Sequence, residues 1–313
     1  MKLRLPKLPF PFTAASTPAS VEPLPQKKHT GVDYETDWAR SFGARLARVA
    51  LLDGVIRPTM QVIASPDRRG VDNLQDLRPR AGSDDPPQPV IFAANHHSHV
   101  DTPLVLSTIP EPWRHRMFVG AAADYFFKTR VTSTASALAL NAIPIERTRV
   151  SRRSADDAAE LIDDGWSMLI FPEGGRSPDG WGQPFRGGAA YLALRCSVPV
   201  VPVHLEGTGR IMRKGSKRLH RSATRITFGQ PLWPDRDAGD DSRRMAARIE
   251  RAVAALADEA NTDWYTARLR AHHDATPALS GPEAPSAWRR AWALGDRGPK
   301  RRRATKRRWP DLG

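Results

Sequence analysis

Residues 90–102 read Val-Ile-Phe-Ala-Ala-Asn-His-His-Ser-His-Val-Asp-Thr. Val90–Ala94 is a short apolar run bounded by polar turn residues, the pattern of a buried strand. It delivers histidines 96, 97 and 99 and Asp101 into a turn, and chemistry tends to sit where such a strand gives way to a loop. His96 and Asp101 are the pair that matters. Five residues apart, they would lie about 140° from each other on a continuous helix. The expectation is therefore that His96 sits in the turn and Asp101 about one turn into the helix that follows. The carboxylate could then hold one imidazole nitrogen while the other faces a substrate hydroxyl, as a general base requires.

Downstream of this stretch the chain alternates. Strand-like runs fall at 90–94, 117–120, 142–145, 168–171, 200–205 and 224–228. Helical stretches fall near 102–107, 125–140, 151–164 and 187–196. Alternation of this kind predicts an α/β domain with a largely parallel central sheet flanked by helices. Ligands of such sheets bind where strand ends meet helix starts, which places His96 and the 173–177 turn on one rim. Upstream, Trp38, Phe42, Leu46, Val49, Leu52 and Ile56 recur at three- and four-residue steps. That spacing predicts an N-terminal amphipathic helix over 37–63, which Pro58 should end or kink. Arg68–Pro89 reads as a connecting loop, and 241–273 as one long amphipathic helix.

Four blocks in a fixed order carry a resemblance. Asn95, His96, Ser98 and Asp101 form the first, and Ile143, Ile145 and Arg147 the second. Phe171-Pro-Glu-Gly-Gly-Arg-Ser177 is the third, and the strand with Pro199 and Pro202 the fourth. Over about residues 85–235 the chain resembles the glycerophospholipid acyltransferase superfamily, whose best-known members are the lysophosphatidic acid acyltransferases. The departure is Gly175, where the family usually has Thr; it removes a hydroxyl from the turn. The resemblance implies an O-acyltransferase that moves a fatty acyl chain onto a lysophospholipid, with 1-acylglycerol-3-phosphate as acceptor and phosphatidic acid as product. The donor would be acyl-CoA or acyl-carrier protein, a co-substrate, with no cofactor and no metal. His96 would be the catalytic base oriented by Asp101, with Arg147, Glu173, Gly174, Gly175 and Arg176 binding substrate. Guanidinium groups take phosphate in bidentate fashion, glycines let backbone N–H groups approach an anion, and Glu173 could orient Arg176 or an acceptor hydroxyl.

Composition sets the surroundings. The formal charge is +14 over 313 residues. Residues 288–313 hold ten Lys or Arg against two Asp, so this tail supplies +8. Such blocks are usually solvated, disordered interaction tails. No apolar run reaches membrane-spanning length, and the N-terminus lacks the apolar stretch of a secretory signal. The single Cys196 excludes an intrachain disulfide and fits a reducing compartment. The organisation expected is an irregular Pro-rich arm over 1–30, an acyltransferase domain over 31–275, and a Pro/Ala/Gly linker with a polybasic tail over 276–313. The protein is expected at the cytoplasmic face of the plasma membrane, as a peripheral protein held by anionic lipid.

Two other classes compete. His97, His99 and Asp101 also fit the start of a metallo-hydrolase pattern, His-x-His-x-Asp-His, although Thr102 stands where the third histidine belongs. The basic tail could bind nucleic acid with salt-dependent affinity. Trp288, Trp292 and Trp309 favour a bilayer interface instead, where an indole satisfies both its apolar body and its N–H. The partners expected are therefore a lysophospholipid, a thioester donor and a membrane surface, not nucleic acid.

Overall fold

The buried strand read from residues 90–94 is the middle of the molecule. In the computed structural model, which describes residues 31–79, 85–146, 152–177, 180–212 and 218–281, seven strands form one sheet. They are β1 (Pro66–Arg69), β2 (Ile91–Ala94), β3 (Met117–Ala122), β4 (Ala142–Ile145), β5 (Ser167–Ile170), β6 (Val200–Glu206) and β7 (Thr224–Phe228), in the order β1-β7-β6-β2-β5-β3-β4. Neighbours from β6 to β4 run parallel, β7 pairs antiparallel with β6, and β1 pairs parallel with β7. β2 is buried at every position, because both faces of a parallel sheet are covered.

The helices are α1 (Phe42–Leu51), α2 (Arg57–Ala64), α3 (Asp101–Thr108), α4 (Ala123–Phe126), α5 (Arg130–Leu140), α6 (Arg152–Asp163), α7 (Gly188–Cys196), α8 (Thr208–Ile211), α9 (Ser242–Asn261) and α10 (Trp264–His272). Strand alternation sorts them into two layers. Phe92, Ala94, Val201 and Val203 pack with Leu104 and Val105 of α3 and Met60 of α2. Ile91, Ala93, Met168 and Val200 pack with Ile162 of α6, Ala190 of α7 and Ile249 of α9.

Four sequence expectations are corrected. β1 lies partly in the stretch read as a loop. Its Pro-Asp-Arg-Arg sequence has no apolar periodicity, and only its backbone pairing with Thr224–Thr227 makes it a strand. A charged, Pro-initiated edge also discourages pairing with other chains. The expected helix at 125–140 is two helices. Thr129 restarts the chain as a capping box, accepting a hydrogen bond from Thr132 N while Thr132 Oγ1 accepts one from Thr129 N. The expected helix at 241–273 breaks at Thr262, after which Asp263 caps α10 by accepting from Thr266 N. Pro58 does not end its helix. Leu52–Ile56 widen into a π turn just before it, and the helix continues to Ala64.

The N-terminal helix is also turned differently from its apolar pattern. Leu52 and Ile56 reach the core, but Trp38, Phe42 and Leu46 are exposed, Phe42 to 82%. Arg48 takes the inward position at 9% exposure. Its guanidinium donates to the carbonyls of Leu138 (2.8 Å), Ala137 and Ala39. The last carbonyls of α5 have no partner within their own helix, and Arg48 supplies one. Burial lowers its pKa to about 10. Packing also continues past the expected boundary at 275, since Gly182 N donates to Leu279 O and Trp181 lies against Gly281. The arm at 1–30 and the tail at 288–313 lie outside the described residues.

Candidate active site

β2 ends in Asn95, which ties the strand to its neighbour. Its amide accepts from Leu205 N at 2.7 Å and donates to Leu205 O at 2.9 Å. The turn that follows closes on one carboxylate. Asp101, 0% exposed, accepts at a single oxygen, Oδ2, from three donors: His96 Nδ1 (2.8 Å), His97 N (2.6 Å) and Ser98 N (2.8 Å). Asp101 is the first residue of α3 rather than one turn into it. The pair meets because the carboxylate reaches back over residues 97 and 98, drawing the turn round it, as short acidic side chains do. Catalytic-type placement and helix-start placement therefore coincide. The His96 ring stacks on Phe171, with centroids 4.2 Å apart and planes at 23°.

The third block clasps the His96 peptide from both sides. Glu173 Oε1 accepts from His96 N at 2.8 Å, and His96 O accepts from Ser177 N at 2.8 Å. The other oxygen, Oε2, accepts from Gln183 N at 2.9 Å. Glu173 is 2% exposed, and burial raises its pKa to about 7 against the pull of those two N–H groups. Each oxygen thus accepts from a backbone N–H, so Glu173 holds the His96 turn to the loop at residue 183. Gly174 has φ +68, a conformation that strains other residues, and a Cβ there would meet the Arg186 side chain at 2.8 Å. Gly175 faces open space, which explains why the usual Thr can be absent without a packing defect. The Arg176 carbonyl accepts from Gln183 Nε2, and its guanidinium is near enough to depress the His99 pKa. Arg147 lies outside the described residues.

His96 opens onto a cavity of about 270 Å³. Its lining includes apolar Val119, Ala121, Ile145 and Ile170 together with His96, His99, Glu146, Gly174, Gly175 and Arg186. A larger cavity of about 880 Å³ borders Asn95, His97 and His204 but not His96. The three histidines of the turn therefore part company. His97 lies 3.2 Å from the Asn95 amide, Nε2 to Nδ2, and His99 pairs with Tyr125. No group of His, Cys, Asp and Glu among the described residues could hold a metal ion. Of the residues in the metallo-hydrolase pattern, Asp101 accepts from His96 and two backbone N–H groups at Oδ2, while His97 lies beside Asn95 and His99 beside Tyr125. Burial pushes the Cys196 thiol up to about 11, the opposite of an activated nucleophile. Sequence reasoning missed Tyr125 and Gln183. Neither carries a motif signal: Tyr125 reaches the site on α4, just after β3, and Gln183 on the loop that returns to Glu173.

A largely parallel α/β sheet thus carries a His–Asp pair at its carboxyl rim, beside a cavity with both apolar and polar lining. Residues 69–206 match the family model described as Acyltransferase. A chloroplastic 1-acyl-sn-glycerol-3-phosphate acyltransferase of Brassica napus is 32% identical over 171 residues, 51% of this chain and 45% of that protein. The human 1-acyl-sn-glycerol-3-phosphate acyltransferase alpha is 24% identical over 57% of this chain and 62% of its own length. The crystal structure of a 1-acyl-sn-glycerophosphate acyltransferase from Thermotoga maritima shares the fold, with TM-score 0.55 and 23% identity over 74% of this chain and 88% of that one. The chain spans about half the length of the plant relatives it matches. The matched region is thus similar to acyltransferases of the glycerophospholipid superfamily, which supports the resemblance read from the four blocks.

Proposed function

We propose that this protein transfers a fatty acyl chain from a coenzyme A or carrier-protein thioester to a lysophospholipid, with 1-acylglycerol-3-phosphate as the acceptor. The observation that carries the reading is the His96 Nδ1–Asp101 Oδ2 contact of 2.8 Å at the wall of that cavity. With Nδ1–H donated to the carboxylate, Nε2 is left to accept the acceptor's hydroxyl proton. The oxygen attacks the thioester carbonyl, and the tetrahedral intermediate collapses by breaking the carbon–sulfur bond. The departing thiolate takes the proton from the imidazolium, and Asp101 stabilises that cation while it exists. No covalent enzyme intermediate is needed, since the thioester is already activated. Arg176, and Arg147 by resemblance, would bind the acceptor phosphate; Arg176→Ala should impair use of phosphate-bearing acceptors more than thioester hydrolysis. Mass spectrometry of products from the purified enzyme, offered several lysolipids with one acyl-CoA, tests the reading. Transfer to none of them would refute it.

The same proposal places the enzyme on an anionic membrane surface. No helix among the described residues is long and apolar enough to cross a membrane. Support comes from the exposed row Trp38, Phe42 and Leu46 and from the +8 tail, since each Lys or Arg near anionic lipid contributes about 1 kcal/mol. Deleting residues 288–313 should weaken pelleting with anionic vesicles, and adding salt should weaken it in the full chain. Activity on a soluble short-chain lysolipid should survive the deletion. Unchanged pelleting would assign the contact to the row on the N-terminal helix.

A further inference from the structure

His99 and Tyr125 form a second pair on the wall of the catalytic cavity, separate from the dyad. Their rings stack with centroids 5.1 Å apart and planes at 23°, and Tyr125 Oη lies 3.0 Å from His99 Nε2. His99 lines the same cavity as His96, together with Gly174, Gly175 and Arg186. Burial, and then the nearby Arg176 and His96, hold the His99 imidazole below its ordinary pKa, so it is neutral near pH 7. A neutral imidazole has one N–H and one acceptor nitrogen, and the partner of one decides the role of the other. A phenol is the natural donor to the free nitrogen, which leaves the proton on Nδ1.

We infer that His99 contacts the acceptor, its Nδ1–H donating to the phosphate oxygens of a lysolipid phosphomonoester, with Tyr125 as the positioning residue that fixes the tautomer. The inference rests on the acyl-transfer reading above. The ligand class follows from the surroundings of the imidazole. Arg186 packs over Gly174, and Arg176 acts on His99 electrostatically. A neutral donor beside guanidinium groups complements an anion without adding repulsion between cations. A thioester carbonyl or a free hydroxyl would need no such setting. The apolar residues of the same lining, Val119, Ala121, Ile145 and Ile170, suit the hydrocarbon.

The experiment compares the full-length wild-type protein with His99→Phe, which keeps the ring stack, and Tyr125→Phe, at an exposed position where the fold tolerates change. Each is assayed with a lysolipid carrying the phosphate, the same lysolipid without it, and two donors: acyl-CoA and an acyl-pantetheine lacking the nucleotide phosphates. His99→Phe should raise KM for the phosphate-bearing acceptor by about tenfold or more, the size of one hydrogen bond to a charged group. KM for the phosphate-free acceptor and for both donors should stay within about twofold. Tyr125→Phe should show the same selectivity to a smaller degree. Imidazole ¹⁵N spectra should show His99 with its proton on Nδ1 in the wild type and a tautomer mixture in Tyr125→Phe. An equal KM rise for both acceptors, a rise tied to the donor's phosphates, no change in KM, or a proton on Nε2 would each overturn the inference. A wild-type protein inert towards every lysolipid would overturn the acyl-transfer reading and this inference together.

Discussion

At the scale of single residues, the site is a set of demands on two buried carboxylates. Asp101 serves one imidazole and two backbone N–H groups through one oxygen. Asp101→Asn keeps the shape but replaces an anion with a neutral amide that offers one acceptor and one donor. It should lower kcat by at least about 10²-fold, through loss of the tautomer, and should also lower Tm, because the turn loses charge-assisted bonds worth about 1.5–3 kcal/mol each. His96→Ala should match it in activity while leaving Tm nearly unchanged, since the His96 peptide stays clasped by Glu173 and Ser177. Parallel turnover and thermal melts separate the two, and a fully active Asn variant would show that Asp101 only starts a helix. Glu173 makes a different claim. Glu173→Gln turns an acceptor oxygen into an NH₂ group facing a backbone N–H, so it should cost kcat about tenfold or more without changing which acceptor is preferred. A selective loss of phosphate-bearing acceptors would return Glu173 to the substrate-binding role expected from the motif.

At the scale of elements, the N-terminal helix shows how a neighbour overrides a pattern. Its apolar residues predict one inward stripe, yet Arg48 faces in and Phe42 faces out. Three carbonyls, two of them in the last turn of α5, are the reason. Arg48→Met would preserve the volume but strand those carbonyls beneath α1. A loss of about 1.5–3 kcal/mol in denaturant-derived stability is expected. Leu140 ends α5 and lines the catalytic cavity, so the acyl-chain profile of the variant should broaden as well. Unaltered stability would mean that water satisfies these carbonyls once the guanidinium is gone. The capping residues behave as local rules say they should. Thr129, Asp241 and Asp263 each start a helix where sequence alone could have put the boundary. Two of those starts divide stretches that periodicity had joined, because a hydrophobic period does not register a one- or two-residue break.

At the scale of the whole molecule, the sheet isolates one group whose titration the fold must resist. His204, on β6, is buried with its pKa pushed down to about 3 by burial, with His97 and Arg225 adding to the effect. Unfolded, it binds a proton below about pH 6.5. The depressed native pKa therefore leaves stability intact above that value and erodes it as pH falls towards 3. The slope from this residue is about 1.4 kcal/mol per pH unit. Chemical denaturation between pH 7 and pH 4 should show it, and His204→Leu should flatten that limb. An unchanged limb in the variant would place the acid sensitivity elsewhere.

What the sequence determined by itself was the strand pattern and one close side-chain pair. The six core strands, the parallel α/β class and the His96–Asp101 pair follow from apolar runs, alternation and one motif, because burial on both faces of a sheet leaves its mark in every residue of a strand. What only the tertiary structure decided was every relation between distant segments. β1 exists because β7 offers it a backbone edge, not because Pro-Asp-Arg-Arg is strand-like. Arg48 turned inward because α5 ended beside it. Glu173 became a clasp because the third block folds against the His96 peptide, and Tyr125 joined His99 because β3 lies two places from β2 in the sheet. Such contacts depend on strand order and on backbone groups that need partners. A backbone N–H or carbonyl has no letter of its own in a sequence, so the groups that needed partners became visible only when the chain was folded.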